Sequence, residues 1–145
     1  MSNTIQIKSA FRFMAFTLLA LSTLWLSACA TTPSSESDIV IERAQARWDA
    51  IASGDLETAY TYYSPGFRSA TSLIDFGVSM SMRRVKWTSA TYLEHSCEES
   101  RCLVQFDVGF KVSNPVPGLK VYESSNKVED TWIKTNGQWW YLPEK

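Results

Sequence analysis

The sequence predicts an α+β domain, with helices gathered on one side of an antiparallel sheet. Three observations predict it. Apolar residues recur at helical spacing from Val40 to Ile51 and again through Leu56, Ala59, Tyr60 and Tyr63. From about Val85 the period changes to two, most plainly in RCLVQFDVGFKV, Arg101 to Val112. Asn136-Gly137 then splits the last apolar stretch, which marks a tight hairpin because both central residues need positive φ.

A leader precedes the domain. Lys8 and Arg12 are the only charged side chains before Glu36, and FMAFTLLALSTLWLSA, Phe13 to Ala28, carries no charge. A basic start, an apolar core and a small-residue end form the layout of a secretory signal peptide. An uncleaved membrane helix needs about 20 apolar residues, and this run is shorter. Leu26-Ser27-Ala28-Cys29 resembles a bacterial lipobox. That resemblance implies cleavage before Cys29 and acylation of its thiol, palmitate included. One acyl chain alone holds a protein only marginally, so a durable anchor takes more than one. By resemblance to the sorting rule of enteric bacteria, Ala30 in place of an Asp favours the periplasmic face of the outer membrane over retention in the inner one. The expected organisation is a signal peptide over 1–28, a flexible tether over 29–37 and one domain over 38–145.

Charge and cysteines narrow the class. The whole chain has a formal net charge of −1, and loss of Lys8 and Arg12 leaves the rest more acidic. A nucleic-acid partner is not expected, since that wants a clustered basic surface. Arg83-Arg84-Val85-Lys86 is the nearest approach, read as a solvated strand edge or as a phosphate or headgroup site. Of the three cysteines, the lipid takes Cys29. Cys97 and Cys102 remain, in SCEESRC, and an oxidising periplasm favours a disulfide that pins a turn. Zinc is the other reading of close cysteines, but the chain has a single His and no further pair. No metal and no cofactor is expected.

Each element then follows in order. Asp38 to Ser53 reads as a helix with Val40, Ala44, Trp48 and Ile51 on its apolar side, and Glu42, Arg43, Arg47 and Asp49 mostly elsewhere. Ser37 or Asp38 is placed to cap it and Gly54 to end it. Asp55 caps a second helix, LETAYTYY, which Ser64-Pro65-Gly66 stops. A third begins after Thr71, with Asp75 completing its cap and Leu73 and Phe76 as its buried pair. Val85 to Cys97 and Arg101 to Val112 make a hairpin. If Cys97 faces Cys102, then His95 pairs with Val104, Leu93 with Phe106, Thr91 with Val108 and Trp87 with Val112. Gly109 is a candidate bulge or bend. After a turn at Pro115 to Gly118, strand resumes at Leu119, with a break expected near Ser124-Ser125-Asn126. The closing hairpin puts Ile133, Trp140 and Leu142 on one face and Trp132, Trp139 and Tyr141 on the other, so both faces are apolar.

ARWDAIASGDLETAYTYYSPGFR, Ala46 to Arg68, and NGQWWYLP, Asn136 to Pro143, resemble the nuclear transport factor 2-like superfamily, the cystatin-like α+β roll. The resemblance implies two or three helices packed on a strongly bent sheet of about four strands, a cone-shaped roll with a pocket. Tyr60, Tyr63, Trp87 and His95 are then candidate pocket residues. Trp132, Trp139 and Tyr141 are candidate interface residues on the outer sheet face, for a homodimer or an envelope protein partner. The alternative is that helices cover that face. Some members are enzymes, of the ketosteroid isomerase and dehydratase types, and His95 is the candidate base for that chemistry. No phosphate loop, nucleophile elbow or paired-carboxylate motif appears. A lipid-anchored accessory module that binds a partner or a small apolar ligand is the expected function, and a small enzyme is the alternative.

Overall fold

A computed structural model describes residues Ser35 to Glu144. The leader, Cys29 and most of the tether lie outside the described residues. Helices α1 (Glu36–Ser53), α2 (Leu56–Thr61), α3 (Pro65–Ala70) and α4 (Leu73–Ser81) are followed by strands β1 (Val85–Cys97), β2 (Arg101–Val116), β3 (Leu119–Thr135) and β4 (Gln138–Leu142). The strands form one antiparallel sheet in the order β1-β2-β3-β4, which does not close into a barrel. This is the expected α+β roll, helices first and on one face.

Helix α1 starts earlier than its periodicity indicated. Ser35 is the N-cap, and Asp38 returns the bond from the third helical position, a full capping box. The cap expected at Ser37 or Asp38 is therefore displaced, and the tether ends before Glu36. Gly54 closes the helix at φ 80°, a left-handed position that favours glycine. Asp55 caps α2, accepting from the Thr58 amide. The stop at Ser64-Pro65-Gly66 is also a start: Ser64 caps α3, with Pro65 in the first helical turn. Ser72 caps α4. Phe76 is buried there, but Leu73 is exposed, so the expected pair is reduced to one.

Helix α1 crosses the sheet diagonally. Near its N-terminus Glu36 accepts from Trp139 Nε1 at 2.8 Å and pairs with Lys134 at 2.9 Å, while Arg43 Nε donates to the Trp139 carbonyl. Further along, Gln45 donates to the Ala90 carbonyl and Trp48 meets Trp87 edge-on, so this part rests on β1. Between these ends, Val40, Ala44, Trp48 and Ile51 pack on Cys102, Val104, Phe106 and Val108 of β2. That alternate set of β2 is fully buried, as its period of two predicts.

The register of β1 on β2 begins as expected, with Cys97 opposite Cys102, bonded as a disulfide, and His95 opposite Val104. It then slips by one residue at Leu93 and again at Thr88. Tyr92, not Leu93, lies opposite Phe106, Ala90 replaces Thr91 opposite Val108, and Trp87 lies opposite Phe110 rather than Val112. Each slip is a bulge that adds a residue to β1 and bends it. Gly109 sits at the bend: a Cβ there would lie 2.5 Å from Ser89 Oγ and 3.0 Å from Thr88 Oγ1.

Strand β3 is continuous through Ser124-Ser125-Asn126, where a break was expected. Its first half, Leu119 to Lys127, pairs with β2 alone, because β4 reaches only Thr131 to Thr135. Asn136 and Gly137 take φ 54° and 76°, the tight turn their sequence requires. Trp132 and Trp139 point into the core, and Tyr141 joins them under the helices. This corrects the outer-face patch: the three residues anticipated at an interface belong to the covered face. Trp140, on the other face, lies under the guanidinium groups of Arg68 and Arg43, at 4.8 and 5.8 Å from its ring centre.

Candidate functional site

A cleft of about 500 Å³ opens between the helices and the sheet. α1 contributes Arg47, Trp48 and Ile51. The α2–α4 segment contributes Tyr63, Phe67, Phe76 and Met80, and the sheet contributes Trp87, Val128 and Tyr141. The sequence folds this way locally because the end of α2 docks on the edge of β4. The Ser64 amide donates to the Tyr141 carbonyl, and the Tyr141 amide donates to the Tyr62 carbonyl. Tyr63 then sits 4.9 Å from the Tyr141 ring, edge-on, and 4.7 Å from Phe67. Such aromatic pairs contribute about 0.5–1.5 kcal/mol beyond burial and give the cleft a stiff wall.

The floor holds a buried ion pair. Arg47 donates to Asp130 Oδ2 at 2.6 Å, with both side chains enclosed. The guanidinium carbon lies 3.8 Å from the Tyr141 ring centre and 4.5 Å from that of Trp48. Arg47 Nε and Asp130 Oδ1 have no hydrogen-bond partner. The indole N–H groups of Trp48 and Trp132 favour the Asp130 carboxylate electrostatically but close no bond of good geometry. Burial pushes the Asp130 carboxyl above the usual range, against the pull of Arg47. Burial opposes the charge on Arg47 too, but Asp130, Tyr141 and Tyr63 outweigh it and hold the guanidinium firmly cationic. Burial also raises Tyr63, and raises Tyr141 to about 12.

The residues anticipated at a pocket divide. Tyr63 and Trp87 line the cleft. Tyr60 does not: its hydroxyl donates to the Thr71 carbonyl at 2.7 Å, and its ring packs on Phe76 and Phe67. His95 is exposed near the Cys97 end of β1, sharing a 2.6 Å hydrogen bond with the Tyr92 hydroxyl. It lines a separate hollow of about 240 Å³ with Glu94, Leu103, Gln105 and Glu129, and not the cleft. Asp49 accepts from Gln45 and Asp75 from the Ser72 hydroxyl, so neither helix carboxylate is bonded to His95. Arg68 stacks on Trp140. Among the described residues no group of three or more His, Cys, Asp and Glu could hold a metal, and no helix is long and apolar enough to cross a membrane.

Sequence reasoning missed Arg47 and Asp130. A signal existed for both. On a helical wheel Arg47 falls within the Val40–Ala44–Ile51 stripe, and Asp130 is two residues before Trp132, on the face that carries it.

No known family profile matches the sequence, and no curated protein matches it. Solved structures do resemble it. A SEC-C motif protein of Rhodopseudomonas palustris is 19% identical with a TM-score of 0.54, over 70% of this chain and 73% of that one. A SEC-C motif protein of Psychrobacter arcticus is 12% identical with a TM-score of 0.54, over 77% of this chain and 63% of that one. A nuclear transport factor 2-like family protein of Streptomyces avermitilis, provisionally named a dehydratase, is 13% identical with a TM-score of 0.52, over 72% of this chain and 90% of that one. At these identities the likeness is one of fold alone: helices packed on a four-stranded antiparallel sheet, consistent with a nuclear transport factor 2-like roll.

Proposed function

We propose that the protein is a lipid-anchored accessory module of the bacterial envelope, held through Cys29 at the periplasmic face of the outer membrane, whose cleft binds a small, largely apolar ligand. The cleft lining carries the ligand reading. Trp48, Tyr63, Phe67, Phe76, Trp87 and Tyr141 offer ring faces around a concave space of about 500 Å³, within the usual size of small-molecule sites. Arg83 at its wall supplies one exposed cation beside the carboxylates of Glu129 and Glu144, which suits a ligand with a neutral polar head such as a carbonyl on an aromatic or aliphatic body. A concave aromatic wall favours a small molecule over a protein partner. The enzyme alternative rests on His95, which lies off the cleft, and Asp130 is sealed behind Arg47. Neither His95 nor Asp130 therefore meets a bound ligand in the manner that proton transfer requires, and the carboxylates on the lining are those of Glu129 and Glu144 at its exposed margin.

Native mass spectrometry of protein extracted from the envelope tests the ligand reading. A retained small molecule is expected, and Ser79→Trp, which fills the cleft from α4, is expected to lose it. Folded protein that carries no such mass and binds no anilinonaphthalene sulfonate overturns it. The anchor is tested separately by the mass of the N-terminal peptide: an intact leader or an unmodified Cys29 thiol overturns that part.

A further inference from the structure

Helix α4 is apolar on two sides. Phe76 faces inward and is buried. On another face Ile74, Val78 and Met82 follow one another at intervals of four and are 77%, 52% and 80% exposed. A surface helix ordinarily turns a polar face to water. Next to this stripe the chain continues as Arg83, Arg84 and Lys86, all exposed. The salt bridges among the described residues are Arg47–Asp130 and Lys134–Glu36, so neither arginine is paired. Lys86 Nζ donates to the Ser81 carbonyl at 3.0 Å, which fixes its charge at the end of α4.

Lys86 also lies directly across from Lys111 on β2, a like-charge pair that destabilises a sheet unless something anionic offsets it. A groove of about 410 Å³ has both lysines on its wall, with Leu56, Met80 and Ser81. Carboxylates stand near this set too, and Glu129 and Glu144 line the cleft with Arg83. Glu123 pairs with Lys111 on the far side, and Asp75 is bonded to the Ser72 hydroxyl. An otherwise acidic chain thus concentrates cations beside an apolar helical stripe.

We propose that this face lies on an anionic lipid surface. The stripe Ile74–Val78–Met82 enters the headgroup–acyl boundary, and Arg84, Lys86 and Lys111 meet the lipid phosphates. Apolar residues on one face with basic residues beside them are how an interfacial helix binds anionic lipid. A second copy is a poorer occupant, because a two-fold contact sets the same cluster against itself, cation to cation. The proposal rests on the anchored reading for the nearness of a bilayer, not for the chemistry of the face.

Oxidation of Met82 reads the docking directly. The full chain is placed on vesicles of phosphatidylcholine alone or with phosphatidylglycerol, treated with dilute peroxide, and analysed for methionine sulfoxide. Met82 is expected to oxidise freely on phosphatidylcholine and at least fivefold more slowly with phosphatidylglycerol. Arg84→Ser and Lys111→Ser are each expected to return about fivefold of the protection, since one basic residue near such a surface is worth that much. Equal rates on both vesicles overturn the proposal. So does slow oxidation on phosphatidylcholine that quickens as the chains are diluted, which places a second copy on the stripe. A chain without acyl groups is run with excess vesicles, so failure of the anchor is read in the N-terminal peptide and failure of docking at Met82.

Discussion

Arg47 and Asp130 meet at 2.6 Å in the middle of the fold, joining α1 to β3 beneath the cleft. Removing one partner leaves the other charged and buried. Arg47→Met or Asp130→Leu is therefore expected to lower unfolding stability by about 3–5 kcal/mol, read from the denaturant midpoint. The double variant Arg47→Met/Asp130→Leu is expected to recover most of the loss. Arg47 Nε and Asp130 Oδ1 already lack partners, so the pair itself adds little beyond an apolar filling. A double variant as unstable as the singles combined would show that the two side chains do not act as a pair.

The bend of β1 makes its own demand. Gly109→Ala puts a methyl where Ser89 Oγ and Thr88 Oγ1 stand, and is expected to cost roughly 1–3 kcal/mol. Ser89→Ala removes the nearer atom, so the double variant should be closer to wild type. No rescue would mean that the backbone, not the hydroxyl, sets the limit.

Acid should loosen the helix starts first. Glu36 is held below its ordinary value by hydrogen bonds from Lys134 and Trp139, Asp38 by Ser35, and Asp55 by Thr58. A depressed carboxylate gives stability that is present above its unfolded value and lost as pH falls through its folded one. Stability is thus expected to hold down to about pH 4.5 and to decline below it. Asp38→Asn should flatten that decline, as followed by far-ultraviolet circular dichroism against pH.

Alkali acts in the opposite sense. Tyr141, raised to about 12 from 10.0, binds its proton more tightly in the fold than in the unfolded chain. Its contribution is complete below pH 10 and disappears by about pH 12. Phenolate absorbance should therefore rise together with unfolding across that window, and Tyr141→Phe should shift the alkaline midpoint upward. Phenolate appearing well before unfolding would contradict the enclosure of this hydroxyl.

Reduction of Cys97–Cys102 opens a loop with a sequence separation of 5. Chain-entropy reasoning gives a loss of roughly 2 kcal/mol, measurable as a lower midpoint under reductant. The effect on exchange of backbone amides should stay at the Glu98–Ser100 turn and spare β2 beyond Val104.

The order of elements was legible because periodicity is local. Period two in β2 and the Asn136-Gly137 turn each fixed a face, and the structure keeps both. What failed was tertiary. Strict alternation carries a register only until a bulge, and two bulges moved the pairing while returning Trp87 to the core side. The interface assigned to Trp132, Trp139 and Tyr141 depended on which face α1 would cover, and strand pattern cannot say that when both faces are apolar. Arg47 escaped because a charge reads as solvated until its partner is found, and Asp130 lies 83 residues away. His95 shares a face with Val104, yet burial depends on where a helix leans, which no pairing rule contains.

The first half of β3 shows an unpaired border. Molecules brought close together would meet such borders often, and a bare strand is a template for fibre growth. Glu123, Ser124, Ser125, Asn126 and Lys127 occupy that border with charge and short polar groups. They leave a neighbouring strand no apolar row to zip against between Glu123 and Lys127, which confines any such pairing to the end where Leu119, Val121 and Tyr122 are exposed.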